Sequence, residues 1–585
     1  MSALASLVRA YDRMTARGEL PAYGYSRQKI SFLISLNPDG TLAHDPIDLR
    51  QNEGKKKAAR LMAVPQPVKR TSGIASNFLW DKTAYVLGVT AAEGKSAARE
   101  HEDFVSSHRD RLASSDDEGL QALWRFLESW MPERFVELGW PEEMKDQNIV
   151  FALESERLDE VRIHDRPAAR DLWAVLSAAG QKDEAVCLIT GSRAAVARLH
   201  PSIKGVWGAQ TAGASIVSFQ QESFTSYGHV QGANAPVSEA AAFAYTSALN
   251  RFLERDSGHR IQVGDASTVF WADASDATAA ADAESFFRGL VDEKQADAVE
   301  EKKVEGILAR LREGRPIAEF KPVAPGVRFF VLGLAPNAAR LSVRFYIEED
   351  FGVIAERYLR HLERMRIDPP PREQTPSIWR MLIETAVLRK SENVQPNLAG
   401  EWLRAVLTDT PYPLTLLSTL IMRLRADYDV NALRVAMLKS VLIKNFGMEK
   451  EAPVSLDLTS KESGYLLGRL FAVYEQIQVF ALGRSVNATI KDKFYGSAAA
   501  QPRKVFRMLD AGSANHLSKI GKQRPGLKVN LEKTVGAIME LMSPGHDPFP
   551  ASLPDKSQAL FGLGYYHQRN EFFRKFDKAT PGEDS

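Results

Sequence analysis

Residues able to carry acid–base, metal or nucleophilic chemistry are few in this chain and thinly spread. Gly94-Lys-Ser96 has the ending of a phosphate-cradling loop, but the glycine needed five residues earlier is Val89, and the preceding residues do not read as a strand. His44-Asp45 and His164-Asp165 are two of the chain's His-Asp pairs. A metal-dependent phosphohydrolase needs further His and Asp ligands around such a pair, so both read as local pairs. His259, Asp265 and Asp273 fall near a strand and offer three ligands for a divalent cation. With His164 and Asp165 they found a rival reading, a metal-dependent nuclease, although Asp265 in Val-Gly-Asp-Ala-Ser equally suits a turn or cap. No Gly-x-Ser-x-Gly, His-Glu-x-x-His or dinucleotide fingerprint occurs. The expectation is a chain with no catalytic residue, no metal and no cofactor.

Basic residues say more. Lys and Arg total 75 against 74 Asp and Glu, so any affinity for nucleic acid must come from local patches. Arg484 to Lys533 holds eleven basic and three acidic residues, a net of +8. Arg484, Lys491, Lys493, Arg503, Lys504, Arg507, Lys519, Lys522, Arg524 and Lys528 are candidates to track a single strand electrostatically; a solvated helix face is the alternative. Lys55, Lys56, Lys57, Lys69 and Arg70 form a second patch, suited to sequence-independent phosphate contacts. It adjoins Ser72, Gly73, Ser76 and Asn77, small residues that allow backbone to approach a groove. In Leu199–Ser215, Lys204, Gln210, Thr211 and Ser215 stand among glycines, and such amides and hydroxyls read base edges or hold sugar and phosphate. Asn77 and Gln210 are the foremost base-reading candidates. A structured loop whose polar groups cap neighbouring elements is the competing reading.

The elements that must position these residues point to an α+β, multidomain chain, a mixed α/β N-terminal body followed by a C-terminal helical bundle. After a first helix, 29–36 alternates with period two and Asn37-Pro-Asp-Gly40 turns it into a hairpin. The prolines of 51–70 predict a loop. Residues 99–130 read as helix, and 147–270 as short strands alternating with helices. Ser238 is a candidate cap for a helix starting at Glu239. Residues 272–305 carry ten acidic and four basic residues and read as a solvated helical connection. Two strands follow at 328–334 and 341–347, the second with Leu341, Val343, Phe345 and Ile347 on one face. From about 352 the pattern is helical, with Leu466, Leu470, Val473, Tyr474, Ile477 and Phe480 in one stripe. The expected domains are 1–145, α+β with the basic DNA-facing loop; 146–350, mixed α/β with the glycine-rich polar loop and the acidic linker; and 351–585, the bundle.

The composition is that of ordinary folded protein: 585 residues, 44% hydrophobic and 25% charged. One cysteine, Cys187, excludes an internal disulfide and Cys-rich metal sites and suits a reducing compartment. Charges at Arg9 and Asp12 interrupt any signal-peptide core, and no apolar run is long enough to span a membrane. A soluble cytoplasmic protein with no membrane partner is expected.

Six segments, in order along the chain, carry a resemblance: Asn77-Phe-Leu-Trp-Asp81, Ile163-His-Asp-Arg-Pro167, the run from Leu199 to Gly208, Asn234-Ala-Pro-Val-Ser-Glu-Ala240, the run from Val331 to Arg344, and Gly564-Tyr-Tyr-His-Gln-Arg569. Together they resemble the large subunit of type I-C CRISPR Cascade complexes. The resemblance implies a non-catalytic subunit at the crRNA 5′ end beside the complex's small endonuclease-like subunit. Such a subunit reads the protospacer-adjacent motif on double-stranded target DNA, promotes R-loop formation, stabilises the displaced single strand and helps recruit the helicase-nuclease, while guide pairing reads the sequence. Its partners would be the crRNA-bearing backbone subunits and a small helical subunit. The resemblance also implies that this small subunit is translated from an internal start, for which Met448, after Phe446-Gly447 and before Pro453, is the candidate. A purely architectural role is the third reading.

Overall fold

The computed structural model describes residues 2–53, 56–68, 73–92, 94–178, 183–291, 306, 326–373, 375–483, 488–543, 545 and 547–574. The chain divides into two compact units, one of residues 1–201 and 217–248 and the other of 202–216 and 249–585.

In the first unit, β1 (Tyr25–Ile30) and β2 (Phe32–Leu36) are separated by a single break at Ser31, so the alternating run forms two strands. β1 pairs antiparallel with β3 (Arg60–Pro65), and Gln51–Glu53 forms a hairpin with Lys56–Ala58. The loop expected at 51–70 is therefore corrected to strands at Gln51–Glu53, Lys56–Ala58 and Arg60–Pro65, with 66–68 irregular. Its pairing partner lies thirty residues upstream, where local composition gives no hint of it. β2 runs parallel to β4 (Asn148–Leu153) in a four-stranded sheet edged by Ile47–Asp48 and Asp81–Lys82. Both central strands are buried on both faces, which explains the unbroken apolar run Ile149–Leu153 of β4 and the adjacent Phe32, Leu33 and Ile34 of β2. The connection between them carries α1 (Ala98–Leu112) and α2 (Glu118–Ser129), two helices where one stretch was expected. Phe104, Leu120, Leu123 and Leu127 pack with Ile34, Phe151 and Leu153 of the sheet. Ser238 caps α3 (Glu239–Phe252), accepting from the Ala241 N–H at 3.2 Å.

The second unit is built on an antiparallel meander of β5 (Arg260–Val263), β6 (Ala266–Asp273), β7 (Arg328–Asn337) and β8 (Arg340–Asp350). Between β6 and β7, α4 (Ala277–Val291) buries Phe286, Phe287, Leu290 and Val291 against Phe270, Phe329 and Phe351. The solvated connection is corrected there to an amphipathic helix; residues 292–305 lie outside the described residues. A bulge between Gly333 and Leu334 shifts the register of β8, pairing Leu334 with Val343 and Gly333 with Phe345. Val343 consequently turns outward, 46% exposed, and leaves the face where simple alternation put it.

Helices α5 (Phe351–Arg364), α6 (Pro396–Thr408), α7 (Leu414–Asp427) and α8 (Ala432–Phe446) lead into α9 (Ser463–Leu482), α10 (Ile490–Ala500), α11 (Pro502–Gln523), α12 (Pro525–Glu540) and α13 (Asp555–Glu571). This C-terminal stretch is a helical bundle, and the whole is the mixed α/β body with helical bundle that the pattern predicts. α9 is buried all round from Gly464 to Ile477, more than a one-stripe helix, because α13 lies against its backbone. A Cβ on Gly468 would sit 2.1 Å from the Phe561 carbonyl oxygen, and one on Gly564 would sit 2.1 Å from that of Tyr465. Across this contact Arg469 Nε donates to Gln568 Oε1 at 3.1 Å and Tyr565 Oη to Glu475 Oε2 at 2.5 Å.

Candidate nucleic-acid interface

The glycine-rich loop is held at its neck. Ile203 and Ala214 exchange backbone hydrogen bonds of 2.8 Å in each direction, and Gly213 closes the turn at φ +94°, where a Cβ would meet the Ile203 carbonyl at 2.8 Å. Inside the loop the Trp207 N–H donates to Ser267 Oγ of β6 at 2.8 Å and the Lys204 N–H to Asn250 Oδ1 at 2.7 Å. Ser215 is a stitch: its N–H donates to the Ala339 carbonyl at 3.2 Å, and its own carbonyl accepts from Leu341 N–H at 2.9 Å. The loop is thus a fixed platform on the meander. It presents Gln210 and Thr211 to an open groove of about 840 Å³, together with Trp207, Arg255, Arg260 and Arg288. Lys204 lines an adjoining hollow with Ser202 and Asn250. Arg260 donates to the carbonyls of Gly205 (2.9 Å) and Leu253 (3.0 Å), so its charge stays in the groove wall while it holds the loop. Trp207 is 65% exposed. The three arginines and Trp207 were absent from the sequence-derived set. The arginines come from segments distant in sequence, but an indole between Gly205, Val206 and Gly208 was a readable signal, because a loop this short has no core to bury it.

The other proposed base-reading loop is built differently. Ser76 and Asn77 are buried, Asn77 only 3% exposed. Asn77 Oδ1 accepts from the Val68 N–H at 3.0 Å, and its own N–H donates to Asp81 Oδ2 at 2.8 Å. α1 anchors the same turn: the Ser76 N–H donates to Asp103 (2.8 Å), the Ser76 and Ser107 hydroxyls bond at 2.8 Å, and the Leu79 N–H donates to His108 Nε2 (2.9 Å). Burial brings the His108 pKa down to about 4 and keeps it the neutral acceptor this bond needs. Ser76 and Asn77 are therefore buried and tied to Val68, Asp81 and α1, and in this arrangement they hold the turn against α1. Gly73 is exposed at φ +94° with open space around it. Lys57 Nζ lies 2.7 Å from Asp48, whose carboxyl is held well below the usual range chiefly by Arg50, so the charge of Lys57 has an acidic partner within the chain. Lys56 sits in the hairpin strand; Lys55, Lys69, Arg70 and Ser72 lie outside the described residues.

The basic cluster of the bundle gathers on α10–α12. α11 buries Val505, Phe506, Leu509, Leu517 and Ile520 and leaves Arg503, Lys504, Arg507, Lys519 and Lys522 exposed on its outer side. Arg503 pairs with Asp547 at 2.8 Å and Lys528 with Glu532 at 3.5 Å. Lys493 and Arg524 are exposed, Lys491 half-buried, and Arg484 lies outside the described residues.

The residues of the nuclease alternative do not converge. Asp265 pairs with Arg344 at 2.5 Å, while His259 faces the Phe270 carbonyl (3.2 Å) and Glu284 (3.8 Å). His164 is fully buried and its pKa falls to about 4, chiefly by burial, while Asp165 accepts from the Arg162 N–H at 3.2 Å. Among the described residues no group of three or more His, Cys, Asp and Glu side chains is placed to hold a metal ion, and no helix is long and apolar enough to cross a membrane. No curated protein matches the chain. A family model described as "CRISPR-associated protein (Cas_Csd1)" matches residues 7–573. Because that match runs from within the N-terminal helix Ala3–Ala16 to just past α13, the chain belongs to the Cas_Csd1 family, that of the large subunit of type I-C CRISPR Cascade.

Proposed function

We propose that this chain reads the protospacer-adjacent motif on duplex DNA for an RNA-guided complex and performs no catalysis itself. The observation carrying this is the pinned 204–213 loop, which turns an exposed indole, an amide and a hydroxyl into a groove walled by Arg255, Arg260 and Arg288. Rigid backbone, polar groups and cations are what base-edge and phosphate contacts require together. The exposed basic side of α11 suits the displaced single strand, which any sequence-tolerant cationic track can hold. Crucially for the test, motif reading and strand holding separate. A complex reconstituted without this chain should bind motif-bearing and motif-lacking duplexes alike; retained discrimination would assign reading to another subunit. Contacts with the crRNA-bearing backbone subunits, the endonuclease-like subunit at the crRNA 5′ end and the helicase-nuclease belong to the same reading, as does a cytoplasmic setting.

A separate product from Met448 fits this scheme. Gly447 ends α8 at φ +64°, and the 138 residues from Met448 retain both α9 and α13, which meet backbone to backbone at Gly468 and Gly564. Free copies would uncover the side of Gly562 that Leu424 and Leu438 cover in the full chain, giving the small subunit a face with which to dock.

A further inference from the structure

The segment from Gln220 to Val230 is exposed throughout and ends in a tight tip. Ser226 and His229 bridge across it, with the His229 N–H donating to the Ser226 carbonyl at 2.9 Å. Tyr227 (φ +50°) and Gly228 (φ +78°) both take left-handed backbone at the two central positions. A bulky side chain rarely sits there, yet Tyr227 is 99% exposed.

What holds it there is a staple. Asn234 Oδ1 accepts from the Ser226 N–H at 3.2 Å, while its Nδ2 donates to the carbonyls of His229 (2.9 Å) and Gln231 (3.1 Å). At the base, Gly232 packs so closely on Ala197 that a Cβ would lie 2.1 Å from its carbonyl oxygen, and Arg198 Nη1 donates to Gln231 Oε1 at 3.0 Å. The finger is thus anchored on both sides of its tip while the Tyr227 ring stands in water.

The chemistry around the tip selects the partner. From Gly205 to Asn250 there is no Lys or Arg, and the finger's one charged side chain is Glu222. A surface meeting nucleic acid needs cations for phosphate, and the Gln220–Val230 segment carries none, while Arg198 at its base is engaged by Gln231. Tyr, Ser, Thr, Gly, His and Gln on a preorganised turn are instead the composition of loops that recognise protein surfaces, where a rigid aromatic anchor enters a pocket at small entropic cost. We propose that the Ser226–His229 tip is a protein-docking finger, with Tyr227 as its anchor, for a neighbouring protein bearing an apolar socket with an uncharged rim. The probes rest on the Cascade reading above, which supplies the candidate partners.

The test compares the unmodified full chain with Y227A and Y227F. Because Tyr227 is fully exposed, neither substitution threatens folding. Association is measured with the crRNA-bearing subunits and, separately, with the helicase-nuclease, alongside DNA affinity of the assembled complex at fixed salt. The proposal expects Y227A to weaken one protein association about tenfold or more, Y227F to weaken it less, and DNA affinity to be unchanged. Loss of DNA affinity with both protein associations intact would make the finger a base-stacking element and overturn the proposal, as would a Y227A chain that behaves like the parent throughout. An unmodified chain that joins neither partner would bring down the Cascade reading and the finger assignment with it; a parent that joins alongside an equally competent Y227A chain would bring down the finger assignment alone.

Discussion

Substituting Gly468 by Ala should open the bundle, whereas the same substitution at Gly512 should tighten it. At Gly468 the added methyl lands 2.1 Å from the Phe561 carbonyl oxygen and 2.8 Å from the Tyr565 nitrogen, both backbone atoms that cannot rotate away. Restoring an ordinary C···O contact of about 3.3 Å requires α9 and α13 to part by roughly 1 Å. A gap of that size removes about a quarter to a half of the dispersion attraction between atoms facing across it. The facing atoms belong to fully buried Leu467, Phe471, Phe561 and Tyr565, so the loss falls at the upper end of overpacking penalties, about 3 kcal/mol. Gly512, within α11, has no atom within 4 Å of an added Cβ. Better helix propensity there is worth about 0.5–1 kcal/mol in the opposite direction. Unfolding of a chain this long is not two-state, so the assay is hydrogen exchange of the backbone amides of α9 and α13. At about 1.4 kcal/mol per decade, G468A should speed exchange there about a hundredfold, and G512A should slow exchange of α11. Unchanged protection of α9 in G468A, or equal acceleration by both variants, would refute the close-crossing argument.

N77A should lower stability by about 1 kcal/mol, because it removes the acceptor of the part-buried Val68 N–H, and should leave motif preference intact; melting curves and duplex binding check both halves. His108 has its pKa lowered from 6.5 to about 4, so its contribution is complete above about pH 6.5 and declines as pH falls towards 4. At pH 5 the deficit is about 2 kcal/mol, visible as a falling Tm that an H108Q variant, with no proton to gain, shows to a smaller degree. Neutralising Lys504, Arg507, Lys519 and Lys522 together should flatten the salt dependence of single-strand binding by up to about 0.7 per contacting charge; an unchanged slope would make them a solvated face. M448L should abolish a separate 138-residue product in mass spectra of the purified complex, while persistence with a different N-terminus would move the start.

The bundle and the strands β7 and β8 were legible because their signals are local: an apolar stripe along α9, alternation in β8, a glycine ending α8. What escaped was decided by partners distant in sequence. β3 reads as loop until β1 is beside it, and α9 shows a single stripe until α13 covers the other side. Val343 sits in an ideal alternation, and only the bulge opposite Gly333 turns it out. The candidate site divides the same way. Small residues near Asn77 and near Gln210 look equivalent in sequence, yet Ser76 and Asn77 are bonded to α1 and Val68 while Gln210 and Thr211 stand in a groove. Composition marks a loop as polar and compact; whether its polar atoms face inward is settled by the residues packed beneath it.

The central claim is that the 204–213 groove reads the motif. Its most direct measurement is the affinity of the assembled complex for duplexes with and without the motif, for the parent, Q210A and W207A at one salt concentration. The account predicts that each substitution costs about 1–3 kcal/mol on motif-bearing DNA and far less on DNA lacking it, so that discrimination collapses. Equal losses on both duplexes, or discrimination kept in both variants, would contradict it.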